Sequence, residues 1–441
     1  MLRVLQYNQP DDRAQLDRLV ERLRSLSTGG QTDVAATVNA IVDDVKQYGD
    51  AAIVRCMRKF TRPNATEADI RIDPALCEAA WRSIDADLRG TIERAIGHVR
   101  AYQQHIKPVD PPPLELDGAA LGLRFTPMRR VGLTVPGGRA AYPSTLIMLA
   151  VPAQVAGVSE IAVCCPPRNM DPAKPGATGE VSDLVLGTAH VLGITEIYRI
   201  GGAEAIAAMV HGTATVKPVD FIAGPGNVFS QLAKRQLFGL VGIDGFFGPS
   251  EVVVLADETA KPDRIAAELI CQAEHDPGCC FLISTKRAVI DNINAEVERQ
   301  LPARARRKAI EQALADWSFA VVVADDAAAY AMVDRLAGEH VVLATTHPRK
   351  VLSKVRNGGA FFLGDQTPVA SGDYYAGPSH CLPTGTTARF TSGCSVYTFI
   401  KRSSVECYPR GMSAQAIEDI ARLAEAEGLE AHAASARQRR E

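Results

Sequence analysis

Residues 268–278, ELICQAEHDPG, end on Gln272, Glu274, His275 and Asp276, side chains able to bind a metal ion or move a proton. On a helix Gln272 and His275 stand at i and i+3 and share a face, while Glu274 points elsewhere. Two adjacent ligands at that spacing suit a divalent cation, the histidine through a ring nitrogen and the glutamine through its carbonyl oxygen. A solvated helix end carries such residues too, so the stretch alone leaves both readings open. Further on, Glu339 and His340 stand just before a strand in AGEHVVL, and Asp373 and His380 lie in the glycine-rich loop SGDYYAGPSH. Such pairs are what a strand end offers to a ligand or to acid–base chemistry, and equally what a cap or a turn uses. The C-terminal helix adds Glu427 and His432, which by themselves read as a solvated face.

Three glycine-rich turns, VPGGRAAYPS, IGGAEA and AGPGNVF, each follow an apolar, β-branched run. Glycine there lets backbone N–H groups approach a phosphate at a helix N-terminus. None has the spacing of a dinucleotide fingerprint or a P-loop, so it is the succession of three along one sheet edge that favours a ligand. His98, His105, His190, His211 and His347 have no second ligand type beside them and are expected as surface or satisfied core residues. The ten cysteines include no C-x-x-C pair and read as reduced, buried small hydrophobes. Cys271 competes as a nucleophile, but on a helix it turns about 100° from Gln272 and is expected in the core.

Holding these residues together takes more than one core, since single cores stop growing at roughly 250 to 300 residues and the chain has 441. Residues 11–105 follow an amphipathic helical pattern, and KPVDPPPLELDG after them reads as a linker. Apolar runs then alternate with helical ones, first from RRVGLTVPGG to DFIAGPG, then from SEVVVLADE to GAFFLGD. That alternation predicts an α/β chain of two Rossmann-like lobes with parallel sheets. The expected divisions are a helical segment 1–128 belonging to the first lobe, the first lobe proper at 129–248, a second lobe at 249–384 and a tail at 385–441. The tail reads as irregular and then helical; its last helix, cut off from both sheets, is expected to dock on another subunit.

Charged residues at 22% and a formal net charge of −3 give no electrostatic case for nucleic acid or an anionic membrane. The N-terminus lacks a signal-peptide pattern, and the longest apolar run, broken by Pro152 and Gln154, is too short to span a bilayer. A cytoplasmic protein with small-molecule partners is the expectation.

The segments VGLTVPGGRAAYPSTLIMLAVPAQVAGV, IGGAEAIAA, GPGNVF, GPSEVVVLAD, QAEHDP, GEH, FLGDQTP, SGDYYAGPSH and EAH, in this order over nearly the whole length, resemble the histidinol dehydrogenase family. The resemblance implies a homodimer with shared active sites, one Zn2+ per subunit and NAD. It implies a four-electron oxidation of L-histidinol through L-histidinal to L-histidine, the last steps of histidine biosynthesis. It makes Gln272, His275 and Asp373 zinc ligands from one subunit, with His432 of the partner subunit as the fourth. It makes Ser250, His380 and Glu427 substrate contacts alongside those ligands. His340 would take the alcohol proton, and Glu339 would activate the water of the aldehyde stage. NAD would lie along the glycine turns of the first lobe, at positions that include Thr134, Glu204 and Asn227.

The chain departs from the family at three places. Thr134 stands where the family usually has Tyr, and Glu204 where it usually has Gln, both at positions associated with NAD. Gly245-Phe246-Phe247 in GIDGFFGPSE stands in place of a more usual Met-x-Ala, which puts Phe246 and Phe247 beside Ser250. Within the same chemistry the rival is a relative that oxidises another polar alcohol, such as a sulfonated diol. Glu427 and His380 favour histidinol, whose ammonium group needs a carboxylate. A non-catalytic zinc- or nucleotide-binding relative is the rival from another class, and the paired acid and base of Glu339 and His340 argue against it. A thiohemiacetal on Cys271 is the mechanistic rival.

Overall fold

The computed structural model describes residues 1–28, 32–137, 141–167, 179–275 and 278–439. Its apolar, β-branched runs form two parallel sheets. The first has five strands in the order Ile197–Tyr198, Glu160–Cys164, Arg130–Thr134, Phe221–Ala223 and Gly242–Ile243. The second has six, ordered Arg3–Gln6, Phe319–Val322, Gly278–Ser284, Ser250–Ala256, His340–Ala344 and Ala360–Leu363. Central strands such as Arg130–Thr134 and Gly278–Ser284 are buried along their whole length because helices cover both sheet faces. The architecture is the expected two-lobed α/β one. The chain leaves the first sheet at Ile243 and enters the second at Ser250.

Three parts depart from expectation. The first is the N-terminus, expected with the first lobe. Arg3–Gln6 pairs in parallel with Phe319–Val322, and the Pro10–Thr28 helix sends Leu16, Val20 and Leu23 into the core that holds Phe281 and Phe319. Residues 1–28 therefore complete the second lobe. The helices that follow do pack on the first sheet, through Val38, Val42 and Ile53 on one face and Ile92, Ala95 and Val99 on the other.

The second and third departures pair with each other. The end of the supposed linker forms strand Leu114–Leu116, the residues just after it form Ala119–Pro127, and part of the supposedly irregular tail forms Ile400–Cys407. They make a three-stranded antiparallel sheet, in register from Ile400 opposite Pro127 to Cys407 opposite Ala120. Ile400–Cys407 is exposed at nearly every position, so neither face imposes an apolar period that sequence could display. Beyond it the Ala414–Ala426 and Glu430–Arg437 helices pack on each other through Ala421, Ala424 and Ala433. Among the described residues no helix is long and apolar enough to cross a membrane.

Candidate active site

The Pro262–Ala273 helix begins on proline, which is suited to a first turn, and turns Ile265, Ala266, Leu269 and Ile270 inward. Gln272 is buried at its last turn, and His275 stands just beyond, its N–H donating to the Gln272 carbonyl at 3.3 Å. Gly278 starts the next strand against this helix end. A Cβ there would lie 2.1 Å from the Gln272 carbonyl oxygen, so only glycine lets the strand begin so close. Asp276 lies outside the described residues. Parallel register then sets Gly278 opposite Ser250 and His340 opposite Val252, which collects Ser250, Glu339 and the helix end along one edge of the second sheet.

Gln272 Nε2 donates to Ser250 Oγ at 2.5 Å, and Ser250 Oγ donates to Glu339 Oε2 at 2.6 Å. The same carboxylate oxygen accepts the Glu251 N–H at 2.9 Å. His340 is 3% exposed, and its Nδ1 lies 3.0 Å from the Glu251 carbonyl. A carbonyl only accepts, so Nδ1 carries a proton, and when the ring is neutral its lone pair lies at Nε2. That nitrogen is buried without a hydrogen-bond partner, 3.5 Å from Asp373 Oδ1. Burial favours the neutral ring, but the Glu339 carboxylate and then Asp373 outweigh it and push His340 up to about 9. Burial opposes the Asp373 charge, yet His340, His380 and His275 hold that carboxyl below its usual range. A cation at Asp373 would cancel part of its pull on His340. His380 donates Nδ1–H to the Asp373 carbonyl at 3.0 Å and accepts from Thr145 Oγ1 at 3.2 Å. Its burial keeps it below the ordinary histidine range.

The structure thus gathers Ser250, Gln272, Glu339, His340, Asp373 and His380, with exposed His275 at the rim and electrostatically coupled to Asp373. It does not bring Glu427 or His432 to them. Both are exposed on the C-terminal helix pair, and among the described residues neither shares a hydrogen bond or ion pair with the cluster. No three His, Cys, Asp or Glu side chains converge as a metal site among the described residues. Gln272 has turned its amide nitrogen to Ser250 and so keeps its carbonyl oxygen for another partner. With the His275 imidazole and the Asp373 carboxylate it makes three N and O donors. Their chemistry fits a zinc ion that draws a further ligand from elsewhere.

Cys271, expected in the core, is exposed instead, because burying Gln272 turns its neighbour outward. Desolvation, followed by the Glu268, Asp373 and Glu274 carboxylates, pushes the thiol up to about 11, far from a thiolate at neutral pH. Two residues of the cluster escaped the sequence reading. Thr145 sits in a mostly apolar helix, and Glu251 in the strand SEVVVLA. An acid inside a strand buried on both faces was the available signal for Glu251.

In the first lobe the glycine turns lie at the carboxyl ends of the strands, the usual ligand edge of such a sheet. The turn after Phe221–Ala223 is tight: Gly224 has φ +115°, and a Cβ on it would lie 2.3 Å from the Thr134 carbonyl oxygen. Thr134, 7% exposed, spends its hydroxyl on the Pro225 carbonyl at 2.9 Å. Asn227 caps the Val228–Leu237 helix, its Oδ1 accepting the Ser230 N–H at 3.0 Å. Glu204 lies in the first turn of the Gly202–His211 helix, where burial pushes its carboxyl up to about 7. Backbone held close to open helix N-termini fits a dinucleotide's phosphates. Residues 138–140 of the first turn lie outside the described residues.

The cluster of the second lobe lies instead at the amino ends of its strands, so the crossover 244–249 joins the ligand edge of one sheet to the chemical edge of the other. His380 and Ser379 seal that junction, bonding Thr145 and the Met148 carbonyl of the first-lobe Pro143–Ala156 helix. Within the crossover the Phe247 N–H donates to Gln231 Oε1 at 3.1 Å, and Lys234 Nζ stands 5.5 Å from the Phe247 ring centre.

A family model for histidinol dehydrogenase matches residues 25–440. The histidinol dehydrogenase of Caulobacter vibrioides is 42% identical over 434 residues, 98% of this chain and 97% of its own length. That of Parasynechococcus marenigrum is 40% identical over 435 residues, 97% of this chain and 96% of its own. The crystal structure of histidinol dehydrogenase from Elizabethkingia anophelis matches with a TM-score of 0.89 at 30% identity, covering 99% of this chain and 98% of that one. On matches that run nearly end to end in both sequence and structure, the chain belongs to the histidinol dehydrogenase family and is an oxidoreductase.

Proposed function

We propose that the chain oxidises L-histidinol through L-histidinal to L-histidine, the last steps of histidine biosynthesis, using NAD and one Zn2+ per subunit. The observation that supports this best is one continuous series of contacts. It runs from Gln272 through Ser250 and Glu339 to His340, Asp373 and His380, and ends on Thr145 in the helix after the first glycine turn. A metal-capable residue, a paired acid and base, and the edge of a nucleotide lobe are thereby in mutual contact. Gln272, His275 and Asp373 would hold the metal, joined by the partner subunit's His432. When bound, zinc would supply a centre that orients the substrate's imidazole and amine, and NAD would supply the hydride acceptor for the two stages.

The chain's own residues supply the proton chemistry. His340, tied at Nδ1 to the Glu251 carbonyl, presents Nε2 to the alcohol and in its neutral form takes the alcohol's proton. Glu339 has one oxygen fixed by Ser250 and the Glu251 N–H, which leaves the other to draw a proton from the water that attacks the aldehyde. Ser250 and neutral His380 position the substrate, and Glu427, like His432, would come from the partner subunit to set a carboxylate near its ammonium group. Thr134, Glu204 and Asn227 lie at the dinucleotide turns, with Thr134 acting through the turn rather than by its occupied hydroxyl. The partners on this reading are the small-molecule substrate and a second copy of the chain, in the cytoplasm, with no nucleic acid or membrane.

The test is NADH formation by zinc-loaded protein offered L-histidinol, other amino alcohols or sulfonated diols. Two NADH per L-histidinol consumed is the expected result. Turnover of a sulfonated diol with none of L-histidinol would overturn the assignment.

A further inference from the structure

The proton chemistry above leaves unused a carboxyl at the centre of the cluster. Glu251 is 1% exposed, and residues 252–256 that follow it in the strand are all apolar and buried. Its backbone makes two bonds to the acid–base pair: its N–H donates to Glu339 Oε2 at 2.9 Å, and its carbonyl accepts from His340 Nδ1 at 3.0 Å. Its side chain makes one, with Oε1 accepting the Gly385 N–H at 2.9 Å, while Oε2 is buried without a partner. The turn that carries Gly385 is itself held from two sides. Thr384 Oγ1 accepts the Gly248 N–H of the crossover, and Arg24 Nε donates to Thr386 Oγ1 at 3.2 Å from the N-terminal helix.

The geometry points to Glu251 as a positioning residue that keeps a neutral carboxylic acid and, through Gly385, fixes the aim of Glu339 and His340. The inference rests on the acid–base role of that pair. One peptide unit cannot tilt on either side of residue 251 without moving His340 or Glu339, and the side chain is what anchors it. The titratable groups facing Glu251 are Glu339 and His340 from one neighbouring strand and Cys279, opposite it, from the other. Among the described residues no lysine or arginine pairs with it, and the Gly385 turn offers only an N–H. A second carboxylate buried beside Glu339, with His340 as the one cationic neighbour to serve both, is costly. Burial, reinforced by Glu339 and only partly offset by the Gly385 bond and by His340, accordingly pushes Glu251 up to about 8. Ionisation above that range would set a second negative charge beside the pair and hold protons on it when they should leave.

Two substitutions separate this role from a structural one. Glu251→Gln keeps an acceptor for Gly385 and is neutral at every pH. Its kcat at pH 7 should stay within about threefold of wild type, and the decline of wild-type kcat above pH 8 should be absent. Glu251→Ala removes the anchor, and kcat should fall about 10²-fold, as expected for misaimed catalytic groups. KM for L-histidinol and NAD and the bound zinc should be unchanged in that variant. The inference is overturned if Glu251→Gln is as impaired as Glu251→Ala at pH 7, since an ionised carboxylate is then required. It is also overturned if Glu251→Gln keeps the alkaline decline, or if Glu251→Ala has wild-type kcat. Should the alanine variant fail to fold, the pH profile of the glutamine variant decides. Failure of the underlying acid–base assignment is separate and would appear as wild-type kcat in His340→Gln, however the Glu251 variants behave.

Discussion

Ser250 shows how tightly single side chains share duties in this site. Its hydroxyl receives the Gln272 amide and donates to Glu339, so Ser250→Ala strands a buried amide and removes one of two donors from the carboxylate. A stability loss of about 1–3 kcal/mol is expected, measurable by urea unfolding of the metal-free protein. His275→Ala should no longer retain stoichiometric zinc after dialysis, and full metal content in that variant would remove His275 from the ligand set. Glu204 predicts a pH dependence. Its carboxyl keeps its proton to about pH 7 in the fold against an ordinary 4.5, so the folded state binds that proton more tightly than the unfolded one. The contribution is fully present below 4.5 and is lost as pH rises through 7. Glu204→Gln has no such loss, so between pH 5 and pH 8 its stability should gain about 1–3 kcal/mol relative to wild type. A difference that does not vary with pH would refute this. At this scale sequence singled out Gln272, His275, Glu339, His340, Asp373 and His380 as metal- or proton-capable types at element ends, and the family resemblance joined them. Thr145 and Glu251 stayed hidden because each works through contacts to residues far along the chain.

Elements were legible where burial imposed a pattern. The strands of both parallel sheets read as largely apolar runs because helices cover both faces, and Pro262–Ala273 kept a clean inward stripe. The antiparallel strands had no buried face to advertise, and Arg3–Gln6 is a four-residue edge whose partner is Phe319–Val322. What fastens the crossover to the first lobe is likewise non-local. Lys234 is 0% exposed; its ammonium group lies 3.0 Å from Asp244 Oδ1 and 2.5 Å from the Gly224 carbonyl. Asp244 in turn accepts the Gly224 N–H at 2.6 Å, so one buried pair clamps a glycine turn and the start of the crossover together. Lys234→Met should cost about 3–5 kcal/mol, because it leaves the Asp244 charge buried and alone. Adding Asp244→Asn should recover much of that loss, since the amide oxygen still accepts from Gly224. Urea titration of the two variants measures both effects, and a double variant no better than the single would mean the pair is not the clamp.

For the whole molecule, the chain by itself leaves the site open. Gln272, His275 and Asp373 supply three donors, while Glu427 and His432 face solvent on a helix pair that packs mainly on itself. Ile420, Leu423 and Leu429 on that pair, with Leu114, Leu116 and Val405 on the antiparallel sheet, are large apolar side chains left exposed. Sequence could place the tail outside both lobes but not say where it goes, because its helices pack mainly on each other. If the tail completes the partner's site, each site takes His275 from one subunit and His432 from the other. A dimer of one His275→Ala chain and one His432→Ala chain would then hold one intact site and one that lacks both histidines. Either variant alone should be inactive. Random pairing of equal amounts gives half heterodimers, so the mixture should recover about a quarter of wild-type activity and zinc. Two different affinity tags would isolate the heterodimer, which should show half of each. If the site is built within one chain, the same heterodimer has two damaged sites and stays inactive, so its zinc content and NADH formation decide between the two arrangements.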